Sequence, residues 1–379
     1  MEFKTLSELC DIVSGGTPSR SRMEFWNNGD IPWIKIGNLN GKYVEKADEY
    51  ITKVGLENSA AKVLPKGTIL YTIFATLGET AILSIDACTN QAIAGICIKD
   101  NLQVSTDYIY YFLKSKKKFV NNIGRGVAQN NINMSILKAF KVPLPEYSVQ
   151  SEIVDILDKT VNIINMRQAE LEKLDRLVKA RFVEMFGDIK ANPYGFEKMA
   201  LKDTCTVITG NTPSRSVPEY YGDSIEWIKT DNIVSGRLSP SQALEYLSDE
   251  GIKVGRTVEK GAILMACIAG SVESIGRVCV TDRKVAFNQQ INAIVPEDYD
   301  TLFLHTMLQL SKEYLVEEIN MALKGILSKS KLEGKEFIVP SIEQQEQFAP
   351  FVAQVNKSKV VSQHTTSNPY IQNLNFAVK

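Results

Sequence analysis

The chain is written twice. Its opening LSELCDIVSGGTPSR returns as LKDTCTVITGNTPSR, so that Leu6, Cys10, Gly15 and Thr17-Pro18-Ser19-Arg20 find counterparts 195 positions on in Leu201, Cys205, Gly210 and Thr212-Pro213-Ser214-Arg215. IPWIKIGNL then returns as IEWIKTDNI, matching Trp33, Lys35 and Asn38 with Trp227, Lys229 and Asn232. KGTILYTIFATLGET is answered by KGAILMACIAGSVESIGR, and TNQAIAGI by FNQQINAI, which pairs Asn90-Gln91 with Asn288-Gln289. FKVPLPEYSVQSEI closes the series against FIVPSIEQQEQF, and the offsets stay between 194 and 198 throughout. Blocks that keep order and spacing over such a length mark a tandem duplication, which commits the fold to two similar domains. A length of 379 residues, too great for one ordinary core, agrees.

Within each repeat, short apolar runs such as IPWIKI, GTILYTI, AILSI and AIAGICI are bounded by Gly, Pro, Asn and Asp. They read as strands of a mixed, β-rich domain with a few helices, one of them over residues 107–118. A different pattern follows the first repeat. From Val149 to Phe186 there is no Gly or Pro, and Leu157, Ile164, Leu171, Val178 and Met185 recur at sevens, with Ile153 and Leu174 alongside. That is a coiled-coil stripe, and Gly187 is a natural C-terminal cap for it. A single apolar seam of this length cannot be buried by the helix alone, so an antiparallel partner is expected from this chain or another. After the second repeat, Gln345, Phe348, Val352 and Val355 begin the same stripe, which then stops; from Ser362 onward the chain is polar and carries Pro369. The second helix is therefore expected at about half length. The fold predicted is α+β, with domains at 1–147 and 188–341, the central helix at 148–187, and a shortened distal helix with an irregular tail at 342–379.

Composition narrows the function. The chain is 44% hydrophobic and 23% charged, with no run of eighteen apolar residues and no secretory opening, so a cytoplasmic protein without a membrane partner is expected. Six cysteines stand singly among apolar neighbours, which fits buried reduced thiols. A net charge of −1 argues against indiscriminate coating of nucleic acid. It leaves room for a basic inner face, for which Lys114 to Lys118 and Lys324, Lys329, Lys331 and Lys335 are candidates; a solvated helix face explains the first run equally well. The two histidines have no metal-ligand spacing, and His305, in LFLHTML, reads as a helix residue near the core. Neither a GxxxxGK[ST] phosphate loop nor a GxSxG elbow occurs.

With these blocks in order, twice in one chain and separated by a heptad helix, the sequence resembles the specificity subunit of type I restriction-modification enzymes over nearly its whole length. The resemblance rests on the repeated TPSR, WIKIGNL and WIKTDNI, ATLGE and SVESIGR, NQAIAG and NQQINA, and VPLPEYSVQSEIVDIL leading into a helix that ends MFGD. It implies two target recognition domains, each reading half of a split duplex DNA site, held apart in a pseudo-two-fold arrangement by long antiparallel helices that also dock methyltransferase subunits. Catalysis would reside in those partners and in separate restriction subunits, which would carry S-adenosylmethionine, ATP and Mg; this chain would hold no cofactor or metal and be no enzyme by itself. The distal helix departs from the family pattern. It implies a ruler completed by self-association, or alternatively a truncated scaffold that binds protein partners through its coiled coil without productive DNA recognition.

Direct readout needs paired donors and acceptors, Arg and Lys for guanine and Asn and Gln for adenine. In the first domain GRGVAQNNINMS offers Arg125, Gln129, Asn130 and Asn131, which could equally serve a helix-capping turn. The second domain's ALKGILSKSKLEGK offers Lys324, Ser328, Lys329 and Lys331 instead, a change expected of readers for two different half-sites. Ser19, Arg20, Ser214 and Arg215 are candidates for phosphate contact, with a structural turn as the alternative; Lys35 and Lys229 join them. Trp33 and Trp227 read as core, and the Asn-Gln pairs as partners for buried backbone. Leu157, Ile164, Leu171, Val178, Met185, Phe348, Val352 and Val355 are the residues expected to pair helices or dock partners.

Overall fold

A computed structural model describes residues 2–124, 131–268, 272–317 and 325–366. The chain divides into two units, one running to Arg167 and one spanning Gln168–Gln363, and the division falls inside the long helix.

In the first unit Cys10–Ser14, Ile93–Ile98, Ile69–Thr72, Thr80–Leu83 and Tyr43–Val44 form one sheet in that order. A smaller sheet sets Ile31–Ile34 between Glu49–Ile51, antiparallel, and Cys88–Thr89, parallel. A ribbon of Glu2–Thr5 with Lys141–Leu144 ties the start of the chain to the strand that enters the long helix. The second unit repeats the plan. Cys205–Thr209, Ile291–Pro296, Ile263–Ala266 and Val278–Val280 form the main sheet, and Tyr221–Ile228 lies between Tyr246–Leu247 and Val285–Phe287 in the smaller one. Lys198–Ala200 pairs with Glu336–Ile338 to close the ribbon. The strands fall where short apolar runs lie between turn residues, and mixed sheets with flanking helices make an α+β fold.

Each main sheet is covered by a helix with a side-chain cap: Ser105 accepts from the Tyr108 amide at 3.3 Å at the head of Thr106–Ser115, and Asp300 accepts from Leu302 and Phe303 at 2.8 and 2.9 Å at the head of Thr301–Leu310. The helix expected over 107–118 breaks at Lys116 and resumes as Lys117–Gly124. Ile69, Ile96, Ile109 and Leu113 fill the first core, and Ile263, Ile294, Phe303 and Leu304 the second, all fully buried. Each such side chain contributes about 1.5–3 kcal/mol of burial. His305 is buried in the second, as its apolar setting predicted. So is Lys335, which lies 4.4 Å from the Tyr314 ring and is thereby removed from any basic face. Within the lysine run, Lys114 and Lys116 lie over the rings of Tyr110 and Phe112 and Lys117 pairs with Glu79 at 2.7 Å.

The long helix is continuous from Tyr147 to Phe186. It stops at Gly187, whose φ of 75° lies in the left-handed region and whose amide donates to Val183 O at 2.9 Å. Its seam serves domain cores. In the first unit Ile153, Val154, Leu157 and Val161 pack on the sheet-and-helix core, and Ile164 is buried. In the second, Leu174, Val178 and Met185 join Phe182 and Phe186, and these face Phe348, Val352 and Val355 of the distal helix. Leu171 is half-buried. Phe182 and Phe186 each stand 5.6 Å from the Phe348 ring in edge-to-face contact, and Lys359 pairs with Asp175.

The distal helix runs from Ile342 to Thr366, past Ser362 where its pattern turns polar. It also carries Pro350 in its interior. A proline there removes one helical hydrogen bond at a cost of about 3 kcal/mol, which the burial of Phe348, Val352 and Val355 on either side offsets. The tail expected beyond residue 366 lies outside the described residues. Among the described residues no helix is long and apolar enough to cross a membrane.

Candidate nucleic-acid interface

The TPSR turn leaves the first strand through a close approach of backbones. A Cβ on Gly15 would lie 2.2 Å from Thr89 Oγ1, and one on Gly210 would lie 2.1 Å from Asn288 O, so only glycine fits. The next residues are held by side chains from the other repeated blocks. The Trp33 indole donates to Gly16 O at 3.0 Å and the Trp227 indole to Asn211 O at 3.3 Å; both tryptophans are buried. Thr17 donates to Gln91, and Thr212 to Gln289. Asn90 and Asn288 accept from the backbone amide two residues on, each at 3.1 Å. The Asn-Gln pairs thus satisfy local backbone and the turn.

On that frame Arg20 and Lys35 meet. The Arg20 guanidinium lies 3.6 Å above the Trp26 ring and 4.9 Å from the Trp33 ring, with Nη1 2.5 Å from Glu49. Lys35 Nζ donates to the same carboxylate at 2.7 Å. The second domain builds the same cluster: Arg215 lies 4.4 Å from the Tyr221 ring and 5.3 Å from Trp227, and Arg215 and Lys229 both pair with Glu245. The upper aromatic anchors the turn in each case, Trp26 donating to Ser19 O at 3.1 Å and Tyr221 to Pro213 O at 2.6 Å. Ser19 shares a hydrogen bond with Ser21 at 2.9 Å, as Ser214 does with Ser216 at 2.7 Å.

Two cations on one carboxylate leave each cluster one positive charge in excess. The Lys35 ammonium, followed by Arg20, holds the Glu49 carboxyl below its ordinary range, and Lys229 chiefly does the same for Glu245. The arginine side chains remain 54% and 56% exposed, so these clusters sit at the surface.

The other candidates lie on a separate segment. Asn131 bridges to Phe74 just before Asn133, which caps the Met134–Lys138 helix by accepting from Ile136 at 2.9 Å. Ser328 caps the matching Lys329–Glu333 helix, accepting from Lys331 at 3.3 Å, and Lys329 pairs with Glu333 at 3.4 Å. Arg125, Gln129, Asn130 and Lys324 lie outside the described residues.

Sequence reading missed both carboxylates and both upper aromatics. A signal existed: Glu49-Tyr50-Ile51 and Glu245-Tyr246-Leu247 repeat a Glu-Tyr-apolar triplet, and Trp26 and Tyr221 align at the offset of 195. Neither triplet nor aromatic has chemistry of its own until the strands are paired.

Comparison with known proteins supplies the family. The profile of the Type I restriction modification DNA specificity domain matches twice, at residues 1–176 and 193–368. The chain belongs to the type I restriction-modification DNA specificity family. Among relatives of this specificity subunit, the MjaIX type I restriction enzyme specificity subunit of Methanocaldococcus jannaschii is 26% identical over 89% of this chain and 83% of its own length. The EcoR124I/EcoR124II specificity subunit of Escherichia coli is 30% identical over 44% of this chain and 42% of its own. The fold is shared with the crystal structure of the type I restriction-modification S subunit from M. genitalium, at a TM-score of 0.61 and 14% identity, covering 100% of this chain and 96% of that one. In the present chain the two tandem target recognition domains each carry one Arg-Lys-Glu-aromatic cluster.

Proposed function

We propose that this chain is the DNA-reading, non-catalytic component of a cytoplasmic type I restriction-modification complex. Each repeat reads one half of a bipartite duplex site, and the long helix sets the gap between the halves. Methyltransferase subunits dock on the helices and restriction subunits assemble with them; these partners carry S-adenosylmethionine, ATP and Mg. The observation that supports this reading most is the double match of one specificity domain, each match running into the helix that follows its repeat, the first such helix being 40 residues long. Joining two modest readers through a stiff element raises effective concentration and makes spacing part of specificity.

The test is a seven-residue helical insertion after Arg167, between Val161, which packs in the first core, and Leu174, which packs in the second. Seven residues add roughly 10 Å and return nearly the same helix face. At 3.4 Å per base pair this is about three base pairs. Methylated adenines mapped in cells with the methyltransferase subunits should show the same two half-sites with a changed gap. An unchanged gap, or altered half-sites, would overturn the reading.

A further inference from the structure

We propose that Arg20 with Lys35, and Arg215 with Lys229, form one seat in each domain for a backbone phosphate of duplex DNA, used whatever the base sequence, while the bases are read by side chains elsewhere. This rests on the DNA-reading function proposed above and assigns the clusters a role within it.

Half-sites that differ in sequence need readers that differ, whereas the two clusters match cation for cation and carboxylate for carboxylate. What any two stretches of duplex share is the sugar-phosphate backbone. A purely structural ion pair needs one cation for its carboxylate; here two cations converge on one, so each seat keeps a positive charge facing solvent.

Both seats are preorganised. Each guanidinium is laid on aromatic rings and fixed by its carboxylate while about half its surface stays open. The rotamer freedom that an arginine ordinarily loses on binding phosphate has already been surrendered in folding. The carboxylates, 27% and 34% exposed, lie deeper than the guanidinium groups they hold, so each arginine is oriented by its carboxylate and left open to meet the anion beside the lysine ammonium.

Counterion release turns this into a measurement, since each phosphate contact adds about 0.9 to the slope of log affinity against log salt. The full chain, co-purified with its methyltransferase subunits, is titrated with a duplex lacking any methylated site over a range of salt. Arg20→Ala and Arg215→Ala should each flatten the slope by about one, and the double variant by about two. Arg20→Lys should restore it, because charge suffices for a phosphate, whereas a role limited to stacking on Trp26 would not be restored. Lys35→Met, which leaves the Arg20 pair and its ring contacts in place, covers the case in which Arg20→Ala fails to fold; it should flatten the slope equally. In cells, the variants should methylate the same motif at lower occupancy. A folded Lys35→Met protein with the wild-type slope overturns the proposal, as does a changed base preference in any of these variants. If the wild type itself binds duplex without salt dependence, the DNA-reading function falls instead.

Discussion

Gln150 and Gln345 occupy the same place in the two domains and make the same hydrogen bonds. Each is fully buried in the first turns of the helix that leaves its domain. Gln150 accepts from the Ser105 amide at 2.9 Å and donates to Pro145 O at 2.9 Å and Gln103 O at 3.3 Å. Gln345 accepts from the Asp300 amide at 2.9 Å and donates to Pro340 O at 2.9 Å and Asp298 O at 3.4 Å. Ser105 and Asp300 are the N-caps of the sheet-covering helices, so one amide side chain locks two helix starts together in each domain.

Replacing either glutamine with leucine strands a buried amide and carbonyls, which should cost about 1–3 kcal/mol. The two losses should add, because the residues share no partner. Urea unfolding of the single and double variants measures this; a loss below about 0.5 kcal/mol, the range of an ordinary surface substitution, would rule the lock out.

Phe182 is fully buried against Phe186, Phe303 and Phe348, which come from the long helix, the sheet-covering helix and the distal helix. Phe182→Ala should therefore cost about 3–5 kcal/mol and Phe182→Leu markedly less. Equal losses for the two variants, by thermal or chemical unfolding, would mean that volume at this junction does not decide stability.

Burial pushes the His305 imidazole down to about 4. Unfolded, it titrates near an ordinary value of about 6.5. The fold disfavours the charged ring, so its contribution is present above the unfolded value and is lost as pH falls from about 6.5 through the folded one. Denaturation midpoints at several pH values should show a shallower acid loss for His305→Leu than for wild type. Parallel curves would show that the buried ring does not titrate in this window.

Gly187→Ala places a side chain where φ is 75° and where a Cβ would lie 2.4 Å from Pro193 Cγ. A loss above about 1 kcal/mol is expected, since conformational strain and the clash act together. Unfolding indistinguishable from wild type would mean that the helix end is set elsewhere.

Much of the architecture was legible because its signals are local. The offset of about 195 residues fixed two like domains, sevenfold spacing and freedom from Gly and Pro fixed the long helix, and Gly187 fixed its end. The identity of Trp33 and Trp227 as core residues followed from their place in short apolar strands. The distal helix shows the limit of such reading: the stripe fades after Val355, yet the helix passes through Pro350, where packing of Phe348 and Val352 in the second core holds it, keeps the Lys359–Asp175 pair beyond the stripe, and runs on to Thr366.

The sequence by itself determined the duplication, the α+β class and the presence of repeated arginines and lysines, since periodicity and order survive in one dimension. Only the tertiary structure decided that Arg20 and Lys35 share Glu49, that Arg215 and Lys229 share Glu245, and which turns of the long helix face which core. Contacts between residues 14 to 30 positions apart depend on which strands pair and in what register, and that is settled by packing of the whole domain.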